Sequence, residues 1–264
     1  LENVSNDFSC AGLATRLLND TVVSGSSKSM IISYRGSSLI IYYYVFLFEM
    51  KFVYPYHSKA ESDFEIKQSI AMVLSVYPDA EIWTVGKAVS GINNIPCTQH
   101  NNIRGCDVTN RMLTFAKQIG GDFIYMNKDF FITESWQPHV AIKMGSIIVN
   151  DDHPPHTKIA QCNTLEFLKH NNFTAYNFET HTPCVMNSKK LIDLFDNINW
   201  QNDNHFIKSI YCNVYQVPSK DGFNCKVSVP SIGKAQELIL LQGCFSTGDA
   251  FWNKTCVEWI KSLT

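Results

Sequence analysis

The stretch Asp122-Phe123-Ile124-Tyr125-Met126-Asn127-Lys128-Asp129-Phe130-Phe131 decides how this chain is read. Residues 123–126 are apolar, short, and preceded by Gly120-Gly121. That combination reads as a buried strand entered through a helix stop. The strand then delivers Asn127, Lys128 and Asp129, followed by two aromatics. A surface turn has the same composition, because Asn and Asp favour turns. A binding cluster at a strand's carboxyl end has it too, and the local sequence leaves both open.

Working upstream, residues 51–56 form a second apolar strand. Residues 63–77 show helical spacing, with Ile66, Ile70, Val73, Leu74 and Tyr77 on one side. Ser62 reads as its N-cap and Glu65 as the partner in a capping box. Pro78-Asp79 ends that helix, and residues 81–85 form the next strand, stopped by Gly86. Residues 86–106 read as polar loop. Asp107 is the expected cap of a helix running to Ile119, with Met112, Leu113, Ala116 and Ile119 inward. Strand, helix, strand, helix, strand is the opening of a doubly wound α/β sheet. Such sheets bind ligands beyond the carboxyl ends of their strands.

Downstream the pattern is mixed. Residues 140–144 and 146–149 read as a hairpin around Gly145. Helices are expected over 157–169, from a Ser188 cap to Phe195, over 206–211 and over 253–262. Short strands are expected over 175–178, 226–229 and 238–241. Residues 50–264 contain no evident linker, so one domain is the simpler reading. Residues 1–49 are richer in Ser, Asn, Thr and Gly, and Met50-Lys51 resembles a fresh start. They are read as an N-terminal extension of uncertain status.

Composition narrows the function. The 264 residues are 45% hydrophobic, which excludes disorder throughout. The net charge is −2, with 3 basic and 4 acidic groups in residues 1–49, so neither part is a hidden basic module. Nine cysteines are scattered without a CxxC pair. They read as buried free thiols of a reducing compartment, and so as a cytoplasmic protein. The longest apolar run, residues 39–48, is too short for a membrane-spanning helix and reads as a buried strand.

A strand starting MKFVYPYHS, a helix, EIWTVG, a further helix and then FIYMNKDFF together resemble nucleotide-sugar glycosyltransferases of the GT-A fold. The resemblance is to the phage and bacterial group related to Stealth capsule-type transferases. Two later segments support it: Tyr176-Asn177-Phe178-Glu179-Thr180-His181-Thr182-Pro183, and Phe245-Ser246-Thr247-Gly248-Asp249. It covers roughly residues 50–264 and implies a mainly parallel, Rossmann-like sheet flanked by helices. It also implies a bacterium or a phage-infected host cell as the setting. The implied activity is transfer of a hexose or pentose from a nucleotide-diphosphate donor to a hydroxyl acceptor. The acceptor would be a glycan, or a hydroxymethylated base of phage DNA.

The resemblance assigns roles by position. Asp129 is expected at the diphosphate, holding Mn²⁺ or Mg²⁺ with His181. Glu179 is the candidate base for the acceptor hydroxyl, and residues two apart on an extended segment face one side. Tyr54, Tyr56 and His57, at the end of the first strand, are expected to bind the donor, with Asn110, Arg111 and Asn127. Lys128 stands where the group usually has an acid. A lysine there weakens a metal site and offers the diphosphate a point charge. It leaves open a non-catalytic nucleotide- or glycan-binding homologue, and a sugar-phosphate transferase remains a further alternative. Trp136, Asp152 and Asp249 are weaker candidates for the acceptor side.

Overall fold

The computed structural model describes residues 28–35 and 38–45 as backbone, and residues 50–57 and 62–264 in full. The chain separates into two compact units, Leu1–Phe48 and Glu49–Thr264. In the first, β1 (Lys28–Arg35) and β2 (Ser38–Val45) pair antiparallel from Lys28↔Val45 to Arg35↔Ser38. Strand β2 covers most of the run 39–48; the burial expected of that run lies outside the described residues, as does Cys10.

The second unit is built on β3 (Lys51–Tyr56), whose Phe52, Val53 and Tyr54 are all fully buried. A strand apolar on both faces belongs at the centre of a parallel sheet. Strand β3 pairs in parallel with β4 (Glu81–Gly86) on one side and β6 (Asp122–Tyr125) on the other. Strand β5 (Asn93–Ile95) continues the parallel order beyond β4, and β9 (Cys184–Asn187) closes the other edge antiparallel to β6. The sheet order is therefore β5-β4-β3-β6-β9. The fold is mixed α/β with a mainly parallel central sheet flanked by helices, as the strand and helix alternation predicts.

A second sheet sits beyond β6. Strand β7 (Phe130–Ile132) runs antiparallel to β12 (Cys244–Thr247), which pairs in parallel with β11 (Lys226–Val227). The chain leaves β6, crosses residues 126–129 and immediately enters β7, so Asp129 is held between two sheets. Phe131 stacks on Phe245, with ring centroids 4.9 Å apart, and locks this second sheet.

Several local expectations are corrected. Helix α1 (Phe64–Val76) begins with Asp63 at its N-cap position. Ser62 Oγ accepts only the Phe64 N–H, and Glu65 reaches away from the helix, so no capping box forms. Helix α2 (Arg104–Gln118) starts a turn before Asp107, and Ile119 is exposed rather than inward. The loop 86–106 contains β5. Residues 140–149 form no hairpin: β8 (Ala141–Lys143) pairs in parallel with β10 (Ser219–Asp221), and Ser146 bridges Tyr176. Helix α3 (Pro155–His170) follows, then α4 (Ser188–Phe195), whose cap is Asn187 rather than Ser188. Helix α5 spans Ile207–Val214.

The expected strand at 238–241 is instead the end of helix α6 (Ile232–Gln242). Ser231 Oγ accepts the Lys234 N–H at one end, and Gly243, at φ 74°, stops the other. A four-residue apolar run does not separate helix from strand; the caps do. Helix α7 (Lys254–Lys261) closes the chain, capped by Asn253. The eight described cysteines are free thiols, six of them buried. Among the described residues, no helix is long and apolar enough to cross a membrane.

Candidate functional site

The carboxyl ends of β3, β4 and β6 open toward the same side of the sheet, and the polar groups there divide into two sets. One set is structural. Arg111 is 1% exposed, and Asp107 4%. The Arg111 Nε donates to Asp107 Oδ2 at 2.9 Å. Its Nη1 donates to the carbonyls of Tyr56, Val85 and Cys97 at 3.2, 3.0 and 3.3 Å. The guanidinium thus ties together the ends of β3 and β4 and the following loop. Gly86 makes this possible: a Cβ there would lie 1.6 Å from Arg111 Nη1. The expected donor-binding role of Arg111 is corrected, because its donors are spent on carbonyls inside the protein.

Tyr54 and Tyr56 are likewise corrected as donor contacts. Tyr54 is fully buried and hydrogen-bonded to Ser69 Oγ at 2.9 Å. Tyr56 is 2% exposed and donates to Asp63 Oδ1 at 2.8 Å. His57 is half-buried at the end of β3. Asn110 turns its amide onto Cys97 Sγ at 3.3 Å. Trp136 is buried and packs on Phe52, with centroids 6.4 Å apart, so it is a core residue rather than a sugar platform. Asp152 lies in an exposed turn before α3, and its carboxylate has no partner among the described residues.

The second set gathers around Asp129. Its Oδ2 accepts from Lys226 Nζ at 2.7 Å and from Ser246 Oγ at 2.8 Å. Burial opposes the ionised carboxylate, but Lys226 and Ser246 outweigh it and hold the carboxyl below its ordinary value. Asp129 is thereby a fixed anion inside an ion pair. Lys226 comes from β11 and Ser246 from β12, so the second sheet is what completes this cluster.

His181 stands beside the same cluster. Its backbone is left-handed, with φ 54°, a conformation that costs a residue with a Cβ about 1 kcal/mol or more. Its Nδ1 lies 2.9 Å from Asn224 Oδ1, and that oxygen also accepts the Lys226 backbone N–H at 3.0 Å. Since the Asn224 atom is accepting, Nδ1 must carry the hydrogen, and Nε2 keeps a lone pair. Burial lowers the imidazole pKa, and the nearby ammonium groups of Lys208 and Lys226 lower it further, to about 4. His181 is neutral at physiological pH.

Lys208, on α5, is 3% exposed. It donates to the Thr182 carbonyl at 3.0 Å and lies 5.5 Å from the Phe130 ring centroid. Among the described residues it has no carboxylate partner within ion-pair distance. Glu179 Oε1 accepts the backbone N–H and the hydroxyl of Ser209, at 3.1 and 3.3 Å, and so caps the first turn of α5. Its Oε2 has no partner among the described residues. Tyr125 feels Glu179 and Asp129 together, and donates to Asn127 Oδ1 at 3.0 Å. Asp129 and His181 thus lie within electrostatic reach of each other, and Glu179 and Asp129 both act on the Tyr125 hydroxyl that bonds Asn127.

Lys128 pairs with Glu65 Oε2 at 2.7 Å and stays about half exposed. Glu65 Oε1 accepts from Thr247 and Trp252, at 2.7 and 3.1 Å. Asp249 acts electrostatically on Lys128 and is exposed. Lys226, Lys208, Asn224 and Glu65 were not singled out from sequence as site residues. Only the segment 245–249 carried a signal, since it contains Ser246 and Thr247.

These residues fit a divalent cation poorly. Mg²⁺ and Mn²⁺ take about six hard ligands, mostly oxygen. Among the described residues, no three His, Cys, Asp or Glu gather to hold a metal. Asp129 and His181 make two donors, and the better of them already has an ammonium on it.

No family model matches the chain, and no curated protein matches it. Solved structures similar to it include the galactosyltransferase LgtC, determined in complex with donor and acceptor sugar analogs. That structure is 13% identical at a TM-score of 0.45, over 81% of this chain and 95% of that one. A glycosyltransferase involved in glycosylation of the major capsid of PBCV-1 is 7% identical at 0.38, over 81% and 99%. The inositol-1-phosphate CTP transferase from T. maritima is 10% identical at 0.44, over 81% and 96%. The solved structures that resemble this chain thus include sugar transferases and a CTP transferase.

Proposed function

We propose that this chain is a glycosyltransferase that moves a sugar from a nucleoside-diphosphate donor to a hydroxyl of a glycan. One observation supports the reading most. The crevice beyond the carboxyl end of β6 brings Asp129 to Lys226 of β11, with Glu179 and His181 from one shared segment beside them. Such crevices are where this sheet class binds nucleotides. Cations and fixed hydrogen-bond donors stabilise a departing diphosphate.

In an inverting displacement, the acceptor oxygen attacks the anomeric carbon as its bond to the diphosphate breaks. The bonding electrons leave with the diphosphate, and Glu179 Oε2 takes the hydroxyl proton. The Ser209 contacts on Oε1 hold that carboxylate in place and leave Oε2 without a partner among the described residues. His181 Nε2, unprotonated, accepts a hydrogen bond from a sugar or acceptor hydroxyl. Free buried thiols suit a reducing compartment, so we place the activity in the cytoplasm.

The test is transfer or donor hydrolysis with a panel of UDP-, GDP-, CDP- and TDP-sugars. Arms with glycan acceptors and with hydroxymethylated duplex DNA distinguish the acceptors. Release of nucleoside diphosphate supports sugar transfer, and release of monophosphate supports sugar-phosphate transfer instead. Turnover that survives Glu179→Gln undiminished removes Glu179 as base.

A further inference from the structure

Three lysines, Lys226, Lys208 and Lys128, act on Asp129 or His181. Lys226 is 28% exposed at its side chain and bonds Asp129 through only one of its three N–H groups. Lys208 lies almost wholly inside the protein, carries a charge with no carboxylate partner among the described residues, and acts on His181 together with Lys226. Lys128, from the loop that also carries Asp129, is half exposed and held by Glu65. Lys226 and Lys128 therefore both act on Asp129, and Lys208 lies within electrostatic reach of His181. A buried cation without an anionic partner is costly, and an anion bound beside it offsets that cost.

We propose that these lysines replace the divalent cation: Lys226 and Lys128 contact the donor diphosphate, and Lys208 supplies a fixed field behind it. This rests on the donor reading above and adds that the activity is independent of metal. Asp129 then has a different task from the one expected of it. It positions the Lys226 ammonium toward the diphosphate instead of ligating a metal. An ammonium already desolvated and oriented needs no reorganisation when the leaving group gains charge. Lys226 transfers no proton in the step: the diphosphate leaves with the electron pair of the broken bond, and the acceptor proton goes to Glu179.

The experiment is titration of the full chain with UDP, GDP, CDP, ADP, TDP and inorganic pyrophosphate, in EDTA and again in Mn²⁺. At least one diphosphate should bind with affinities in the two buffers that agree within about threefold. Lys226→Met should weaken that binding about tenfold or more, as expected for losing a charge-assisted contact. The double variant Lys226→Met, Asp129→Asn removes the same ammonium without stranding a buried carboxylate, and should weaken binding as much while keeping its melting temperature. Binding that appears only with Mn²⁺ overturns the lysine assignment and leaves the donor reading standing. Wild-type affinity in the folded double variant also overturns it. No binding in either buffer overturns the donor reading, and the lysine assignment with it.

Discussion

Replacing Arg111 by Met separates a structural guanidinium from a phosphate-binding one. In the parent, Asp107 is 4% exposed, and its carboxylate is met by Arg111 at 2.9 Å and by the His100 backbone N–H at 3.0 Å. Arg111→Met keeps most of the side-chain volume but leaves Asp107 charged and buried with the single His100 donor. It also strips a donor from the carbonyls of Tyr56, Val85 and Cys97. Breaking a buried ion pair from one side costs about 3–5 kcal/mol. For a unit of this size, each kcal/mol moves the melting temperature by about 2–4 °C. The expected drop is therefore roughly 6–20 °C. A surface arginine waiting for a phosphate would cost about 0.5 kcal/mol or less, close to 1–2 °C. Thermal unfolding followed by circular dichroism reads the difference, and urea unfolding gives the free energy. Adding Asp107→Asn should recover part of the loss, because the stranded charge is gone, with a coupling of about 0.5–3 kcal/mol. A melting temperature within 3 °C or so of the parent for Arg111→Met would refute the structural role.

Gly86→Ala attacks the same junction from the backbone. A Cβ there lies 1.6 Å from Arg111 Nη1 and 2.4 Å from the Tyr56 carbonyl, at φ 114°, so a loss of at least about 2 kcal/mol is expected in urea unfolding. Asp129→Asn should cost about 1–3 kcal/mol, since it leaves Lys226 beside a neutral amide; an unchanged urea midpoint would contradict the pairing. The pKa of about 4 for His181 predicts a definite acid limb. As pH falls below about 6.5 the unfolded chain takes a proton first, and the folded imidazole follows only near 4. Stability should thus decline across that window, by up to about 3 kcal/mol from this residue. His181→Gln should flatten the decline in urea midpoints measured at pH 7 and pH 4.5, and an equally steep decline in the variant would exclude His181 as its source.

The central sheet was readable because its signals are local and mutually consistent. Strand β3 spans the expected residues 51–56, and Gly86 and Gly120-Gly121 stop their elements where the left-handed φ values of 114°, 74° and 79° require glycine. The misreadings fall where partners lie far away in sequence. Residues 141–143 looked like half of a hairpin because Gly145 stood next to them, but their partner is 219–221. Glu65 looked like a capping residue because it sits three positions after Ser62. Its carboxylate instead finds Thr247 and Trp252, far along the chain, and Lys128. A local rule names a residue's options, and tertiary packing chooses among them.

The site shows the same limit in its charges. Sequence position placed Asn127 and Asp129 just past β6, and Glu179 and His181 two residues apart on one segment. It could not assign partners. Arg111 looked available because a polar residue in a helix is usually solvated. It is buried because Asp107, four residues earlier on the same helix, neutralises it while Gly86 leaves room for it. Lys226 looked like an ordinary strand residue, because nothing within ten positions of it is acidic except Asp221. Its anion is Asp129, which the fold brings to 2.7 Å through the pairing of β11, β12 and β7. The departure that sequence did register, a lysine at 128 in place of an acid, now has a physical context. An acid at 128 would face Glu65 across the gap that Lys128 now fills at 2.7 Å. Two like charges there would repel unless a cation came between them. Lys128→Asp is therefore expected to make diphosphate binding respond to Mn²⁺ where the parent does not. A variant that binds equally well in EDTA and Mn²⁺ would show that position 128 does not decide which kind of cation the crevice uses.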